Sequence, residues 1–169
     1  MLETLEELPG ITRPHLDECS RFCEQYGLVG KVQADHLGIK CSSNAVYEKQ
    51  RKVFESDTRF IYQSVISQRR ISIIGLREGL DTSVGGVRYI ELADQKPDNS
   101  QKDAVDHIEL VPQGISYEEL VSFLQNQGVA MKEVIRSHHV TYDITLPSGF
   151  GIKLSREMLV DKVYQVEML

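Results

Sequence analysis

One pattern limits what this chain can fold into more than any other. Asp35-His36-Leu37-Gly38-Ile39 and Asp106-His107-Ile108-Glu109-Leu110 share the form Asp-His-aliphatic-x-aliphatic, 71 positions apart, from 35 to 106. The surroundings of the two copies repeat as well. After Cys41 come Ser42-Ser43-Asn44 and apolar residues at helical spacing, Val46, Val53 and Phe54. Strand-like runs follow at about 59–66, 70–77 and 86–92, the last two separated by the glycine-rich stretch from Glu78 to Gly86. After Asp106-His107 the order returns. Ser116-Tyr117-Glu118-Glu119 forms a capping box, Leu120, Val121 and Leu124 make a helix face, and Gly128 suits the helix end. Strands then follow at about 130–136, 138–146 and 150–155, and a short helix from about 156 closes the chain. Arg88-Tyr89-Ile90-Glu91-Leu92 and Phe150-Gly151-Ile152-Lys153-Leu154 match at the ends of the two units.

The expectation is therefore an α+β fold of two βαβββ modules, 34–92 and 105–155, in one mixed sheet. Polar residues 93–104 read as a surface linker. Residues 1–33 read as an N-terminal helical extension in which Pro14 opens a helix and Gly27 ends it. The 34–169 segment, closing helix included, is expected to be a single domain.

Strand alternation then sorts the side chains. If Leu37/Ile39, Ile90/Leu92, Ile108/Leu110 and Ile152/Leu154 pack on the helices, the other face carries His36, Lys40, Tyr89, Glu91, His107, Glu109 and Lys153. A merely solvated sheet face favours Lys, Glu and Thr over paired histidines. Either histidine alone reads as an ordinary exposed or hydrogen-bonded residue. Two at equivalent places in related units can converge on one site. Asp35 and Asp106 fall on the opposite side of the alternation and read as strand-entry or turn residues.

Composition bounds the rest. The chain has 169 residues and a net charge of −6, which argues against a nucleic-acid partner. A domain of this length needs no staple to fold. Cys19, Cys23 and Cys41 are an odd set and read as small core residues of a reducing compartment. No run spans a bilayer, and the acidic start Met1-Leu2-Glu3 lacks the basic region of a secretory signal, so the expected location is cytoplasmic.

Taken in order and spacing, Ala34-Asp35-His36-Leu37 ending in Cys41, His107-Ile108-Glu109 and Ile152-Lys153-Leu154 resemble the YecM-like family of the vicinal oxygen chelate superfamily, which includes glyoxalase I, bleomycin-resistance proteins and extradiol dioxygenases. The resemblance covers about 34–165, with the helical extension also similar. It implies a cup-shaped sheet holding a divalent metal, Zn, Fe, Mn, Ni or Co, on the first and fourth strands of each module. Carried over, the ligands are His36, Glu91 and His107, and the fourth place falls on Lys153, a donor-only cation. Ser155 stands nearby. Glu109 is then a fourth ligand or general base, and Lys153, Lys40 and His139 are candidate partners for a small anionic substrate. Lys153 could instead pair with Glu91 or Glu109 in a metal-free cup. Metal-assisted isomerase, lyase or oxygenase chemistry, a sequestering module without turnover, and an interaction protein with a vestigial cup remain as readings. A monomer and a homodimer are both open.

Overall fold

A computed structural model of the chain describes residues 1–135, 140–161 and 163. A 3-10 turn at Leu5–Glu7 leads into helix α1, Leu8–Gln25. The first unit then runs β1 Val32–Lys40, α2 Asn44–Glu55, β2 Phe60–Ile66, β3 Arg69–Thr82 and β4 Gly85–Ala93. The second runs β5 Ala104–Pro112, α3 Tyr117–Asn126, β6 Lys132–Ile135, β7 Val140–Thr145 and β8 Gly151–Leu154. Among the described residues these strands form one 8-stranded sheet in the order β2-β3-β4-β1-β5-β8-β7-β6.

That order is two βαβββ units joined at their first strands. Within each, the first strand pairs in parallel with the fourth: His36 opposite Tyr89 and Gly38 opposite Glu91 in one, His107 opposite Gly151 and Glu109 opposite Lys153 in the other. The β1–β5 seam is antiparallel and irregular, with register shifts between Ala34 and Leu37 and between Gly38 and Ile39. The alternation predicted one apolar face, and Leu37, Ile90, Leu92, Ile108, Leu110, Ile152 and Leu154 are all fully buried in one core. The helices cover that face through Tyr47 and Phe54 of α2, Leu120 and Leu124 of α3, and Leu16, Cys19 and Cys23 of α1. The three cysteines are free and buried, as expected of core residues.

Local chemistry sets the helix ends. Ser116 Oγ accepts from Glu119 N while Glu119 Oε2 accepts from Ser116 N, the reciprocal capping box. At Gly27 (φ +65°), Leu28 N donates to Cys23 O and Gly27 N to Glu24 O, closing α1.

Four expectations change. Pro14 lies inside α1 and Pro9 takes the N-terminal position; Pro14 is tolerated because the Gly10 carbonyl it deprives of a partner is on an exposed residue. The glycine-rich stretch is not a loop, since β3 continues to Thr82 through an irregularity between Gly75 and Leu80. The linker is not wholly on the surface: Gln101 is buried and its amide donates to Cys41 O and Asp94 O, while the buried Asp94 accepts from Arg70 Nε at 2.7 Å. Helical geometry near the C-terminus begins at 159, not 156. No helix among the described residues is long and apolar enough to cross a membrane.

Candidate metal centre

The seam between β1 and β5 brings the two histidines together. Their rings lie edge to face with centroids 5.8 Å apart, and both side chains are almost fully buried. From β4, Glu91 places Oε2 3.9 Å from His36 Nε2; from β5, Glu109 places Oε2 3.8 Å from the same nitrogen. One donor atom each of His36, Glu91 and His107 lies within 4.8 Å of the others. A second set with the same closeness, Asp35, His36 and Glu109, shares His36 with the first.

Each histidine has its own aspartate behind it. His36 Nδ1 lies 2.9 Å from Asp35 Oδ2, and His107 Nδ1 lies 2.9 Å from Asp106 Oδ2. A carboxylate only accepts, so each Nδ1 carries the proton, and in the neutral ring Nε2 presents a lone pair. This is how a metal-ligating histidine is oriented. Asp35 is fixed in turn by Leu159 N at 2.8 Å, and Asp106 by Lys40 at 2.6 Å. The sequence reading of both aspartates as turn or strand-entry residues is thus incomplete. The irregular seam explains why. Asp35 and His36 together stand opposite Glu109 alone, and Asp106 is the extra residue between two paired positions. A bulge releases a side chain from strict alternation.

His107 is held by absence as well as by contact. Gly38 is its cross-strand partner on β1 and Gly151 its partner on β8. A Cβ on Gly38 would stand 2.5 Å from His107 Nδ1 and 2.8 Å from its Nε2, and one on Gly151 would stand 3.2 Å from His107 Cβ. The imidazole occupies the space that a side chain at Gly38 would fill, while one at Gly151 would press on the His107 Cβ and the Asp106 carbonyl. The repeated Asp-His pair and a glycine on the ionisable face were the available sequence signals.

Charges in the cluster act on one another. Burial opposes protonation of His36, but Glu109, the bond to Asp35 and Glu91 outweigh it and hold its pKa above the ordinary value. For His107 burial dominates and pulls the pKa down; Asp106 opposes this, and Lys153 adds to it. Burial also opposes ionisation of Glu91, yet His36, His107 and Lys153 keep its carboxyl below the usual range. Lys153 stands in register between Glu109 on β5 and Asp143 on β7, flanked by two carboxylates. Lys40 pairs with Asp106 at 2.6 Å. His139 lies outside the described residues.

Whether a divalent cation suits this site is answered by its donors. His36 Nε2 is buried and makes no hydrogen bond, although it points between two carboxylates. Its separations of 3.8 and 3.9 Å from them slightly exceed the ~3.4 Å between ligands of a tetrahedral ion with ~2.1 Å bonds. A contraction of about half an ångström would suffice. The residues present fit a metal.

The sheet joins two βαβββ units at their first strands, and that seam brings the two histidines together. The family model described as "YecM protein" matches residues 12–161, and the chain belongs to that family. A stretch of 100 residues, 59% of the chain, is 29% identical to Protein YecM of Escherichia coli strain K12 and spans 52% of it, about half the length of that relative. The solved structure of Protein EC4020 from structural genomics has a TM-score of 0.70 at 21% identity, covering 94% of this chain and 92% of that one. A weaker likeness, TM-score 0.49 at 10% identity, is to methylmalonyl-CoA epimerase from Mycobacterium tuberculosis, covering 78% and 91%.

Proposed function

We propose that the cup binds one divalent metal ion through His36, His107 and Glu91 and acts on a small, anionic, oxygen-rich molecule. The observation that carries this reading is the buried, unpartnered Nε2 of His36, oriented by Asp35 and aimed between Glu91 and Glu109. Two imidazoles and a carboxylate suit Zn, Fe, Mn, Ni or Co and leave coordination positions open. When bound, such an ion supplies Lewis-acid stabilisation of negative charge on a substrate oxygen, the chemistry of isomerase, lyase and oxygenase steps.

The remaining roles belong to this chain's own groups. Asp35 and Asp106 fix the tautomer and direction of the two rings. Glu109, on the Nε2 side of His36, serves as a fourth ligand or as the base that takes a substrate proton. Lys153 supplies the positive charge that meets an anionic head group. Burial of both histidines keeps bulk water from competing for these contacts.

Elemental analysis of freshly purified and of reconstituted protein tests the reading. About one metal per chain is expected. Glu91→Gln keeps size and removes charge, and His107→Ala removes one imidazole; both should lose metal with an unchanged far-ultraviolet dichroism spectrum. Failure of the wild-type protein to retain any metal after reconstitution refutes it. A second reading is favoured by Lys153, a cation in the cup without any metal: sequestration of an anionic ligand with no turnover. It predicts a thermal shift with small carboxylates in the presence of chelator.

A further inference from the structure

The two halves of the sheet differ in what they present on the ionisable face. Residues directly opposite across strands share a face. From His36 the row runs outward through Tyr89 on β4 and Gly75 on β3 to Phe60 on β2. From Glu91 it runs through Ile73 to Tyr62. In the other unit the row from Glu109 runs through Lys153 and Asp143 to Lys132. One side of the cup is thus aromatic and aliphatic, and the other is charged.

The apolar side has a built form. Phe60 and Tyr89 have ring centroids 6.2 Å apart, inclined at 42°. A Cβ on Gly75 would stand 2.5 Å from Phe60 Cε1 and 2.8 Å from Cδ1, so the Phe60 ring lies over the glycine backbone and reaches toward Tyr89. Ile73 is 4% exposed yet is not part of the helix-side core, and Phe60 is 41% exposed. The result is an aromatic shelf that begins at the register position beside His36.

We infer that the ligand of this cup has two parts, an oxygen-bearing anionic head held at the His36–Glu91–His107 cluster and a planar aryl group laid on Phe60 and Tyr89 along β3 and β2. The inference rests on the metal reading above for the head, and on the shelf alone for the aryl group. Aromatic faces left open next to a polar centre gain most from a flat apolar partner, through area burial and ring–ring contact. A second copy of the chain laid against β2 is the competing occupant.

The test uses full-length protein loaded with Zn and two hydroxamate probes, benzohydroxamate and acetohydroxamate, which share a chelating head and differ in the aryl group. Binding is measured calorimetrically. The aryl probe should bind roughly ten-fold or more tightly. Phe60→Ala and Tyr89→Ala should each reduce that ratio several-fold while leaving acetohydroxamate affinity unchanged. Equal affinities in the wild type, or a ratio untouched by both variants, overturns the shelf and leaves the metal reading intact. Phe60→Ala that dissolves a dimer in sedimentation, with the ratio unchanged, also overturns it and assigns Phe60 to a contact between copies. If the protein holds no metal, naphthalene-2-carboxylate replaces the hydroxamates. Selective perturbation of the Phe60, Tyr62 and Tyr89 ring resonances then supports the shelf although the metal reading has failed, and no perturbation overturns it.

Discussion

Gly38→Ala is the most direct probe of how the His107 ring is held. The new methyl carbon would stand 2.5 Å from His107 Nδ1 and 2.8 Å from Nε2, with Cε1 closer still. Ordinary contact begins near ~3.5 Å, so the ring must retreat by about 1 Å. Its retreat is obstructed. Nδ1 is tied to Asp106 at 2.9 Å, and β8 pairs with β5 on the other flank, with Gly151 opposite His107. Forcing a methyl group into such packing costs about 1–3 kcal/mol. Gly38 does not have the positive φ that would make alanine strained, and alanine is otherwise preferred in a strand by about 0.5–1 kcal/mol. The expected net loss is about 0–2.5 kcal/mol. The chain has no tryptophan, so urea unfolding is followed by circular dichroism. Zinc affinity, read by competition with a chelating dye, should fall at least about ten-fold because Nε2 is displaced from the cluster. A double-mutant cycle isolates the cause: with His107→Ala in place the clash is gone, and Gly38→Ala should be neutral or stabilising. An equal cost in both backgrounds would show that the ring is not what the methyl group meets, and the reasoning would fail.

Asp106→Asn and Asp35→Asn keep side-chain size but remove the charge behind each imidazole. Each should weaken metal binding by about 10–100-fold with the dichroism spectrum unchanged, and unaltered affinity would deny them an orienting role. Ser116→Ala breaks the capping box of α3 and should cost about 1 kcal/mol in urea unfolding, with no effect on metal stoichiometry. At alkaline pH the expected direction is loss of stability. Burial, with Asp103 nearby, pushes the Cys41 thiol from 9.0 up to about 12, and burial pushes the Tyr117 phenol from 10.0 up to about 12. The unfolded chain then releases these protons first. Stability should fall from about pH 9 to 12, by at most about 1.4 kcal/mol per pH unit for each group. A flat stability profile over that window would contradict this.

Period-two alternation was enough to separate the two sheet faces, because the helices cover only one of them and a one-residue slip would have buried His36 in the core. It therefore carried Leu37/Ile39 to one side and His36, Glu91, His107 and Glu109 to the other. It failed at Asp35 and Asp106 for a physical reason. Both sit at irregularities of the β1–β5 seam, and alternation is a rule about regular strands. The Asp-His repeat was visible as a trace of duplication, but its chemical meaning needed the 2.9 Å contacts. The glycine-rich stretch after Glu78 misled because glycine also permits a bulged strand, which is what β3 becomes there. Pro14 misled because helix starts favour proline, while an exposed helix position tolerates it.

The parallel registers show where the two units part company. His36 and His107 are equivalent, each the partner of a fourth-strand residue, Tyr89 in one unit and Gly151 in the other. The next inward-facing pairs are Gly38 with Glu91 and Glu109 with Lys153. Each pair holds one carboxylate, but on different strands: the fourth strand in the first unit, the first strand in the second. Relative to a fully symmetric pair of sites, the second carboxylate is one strand nearer the seam, and a cation stands at the position equivalent to Glu91. That shift places both carboxylates within 4 Å of His36 Nε2, at 3.9 and 3.8 Å, and sets Lys153 beside Glu109 on the β8 side. The asymmetry gives the cup a direction. Under the proposed function an anionic head would meet Lys153, and the opposite side, from Tyr89 to Phe60, is the apolar one. On the proposed reading, the same substitution that removes a fourth carboxylate from the metal set would also orient the ligand across the seam.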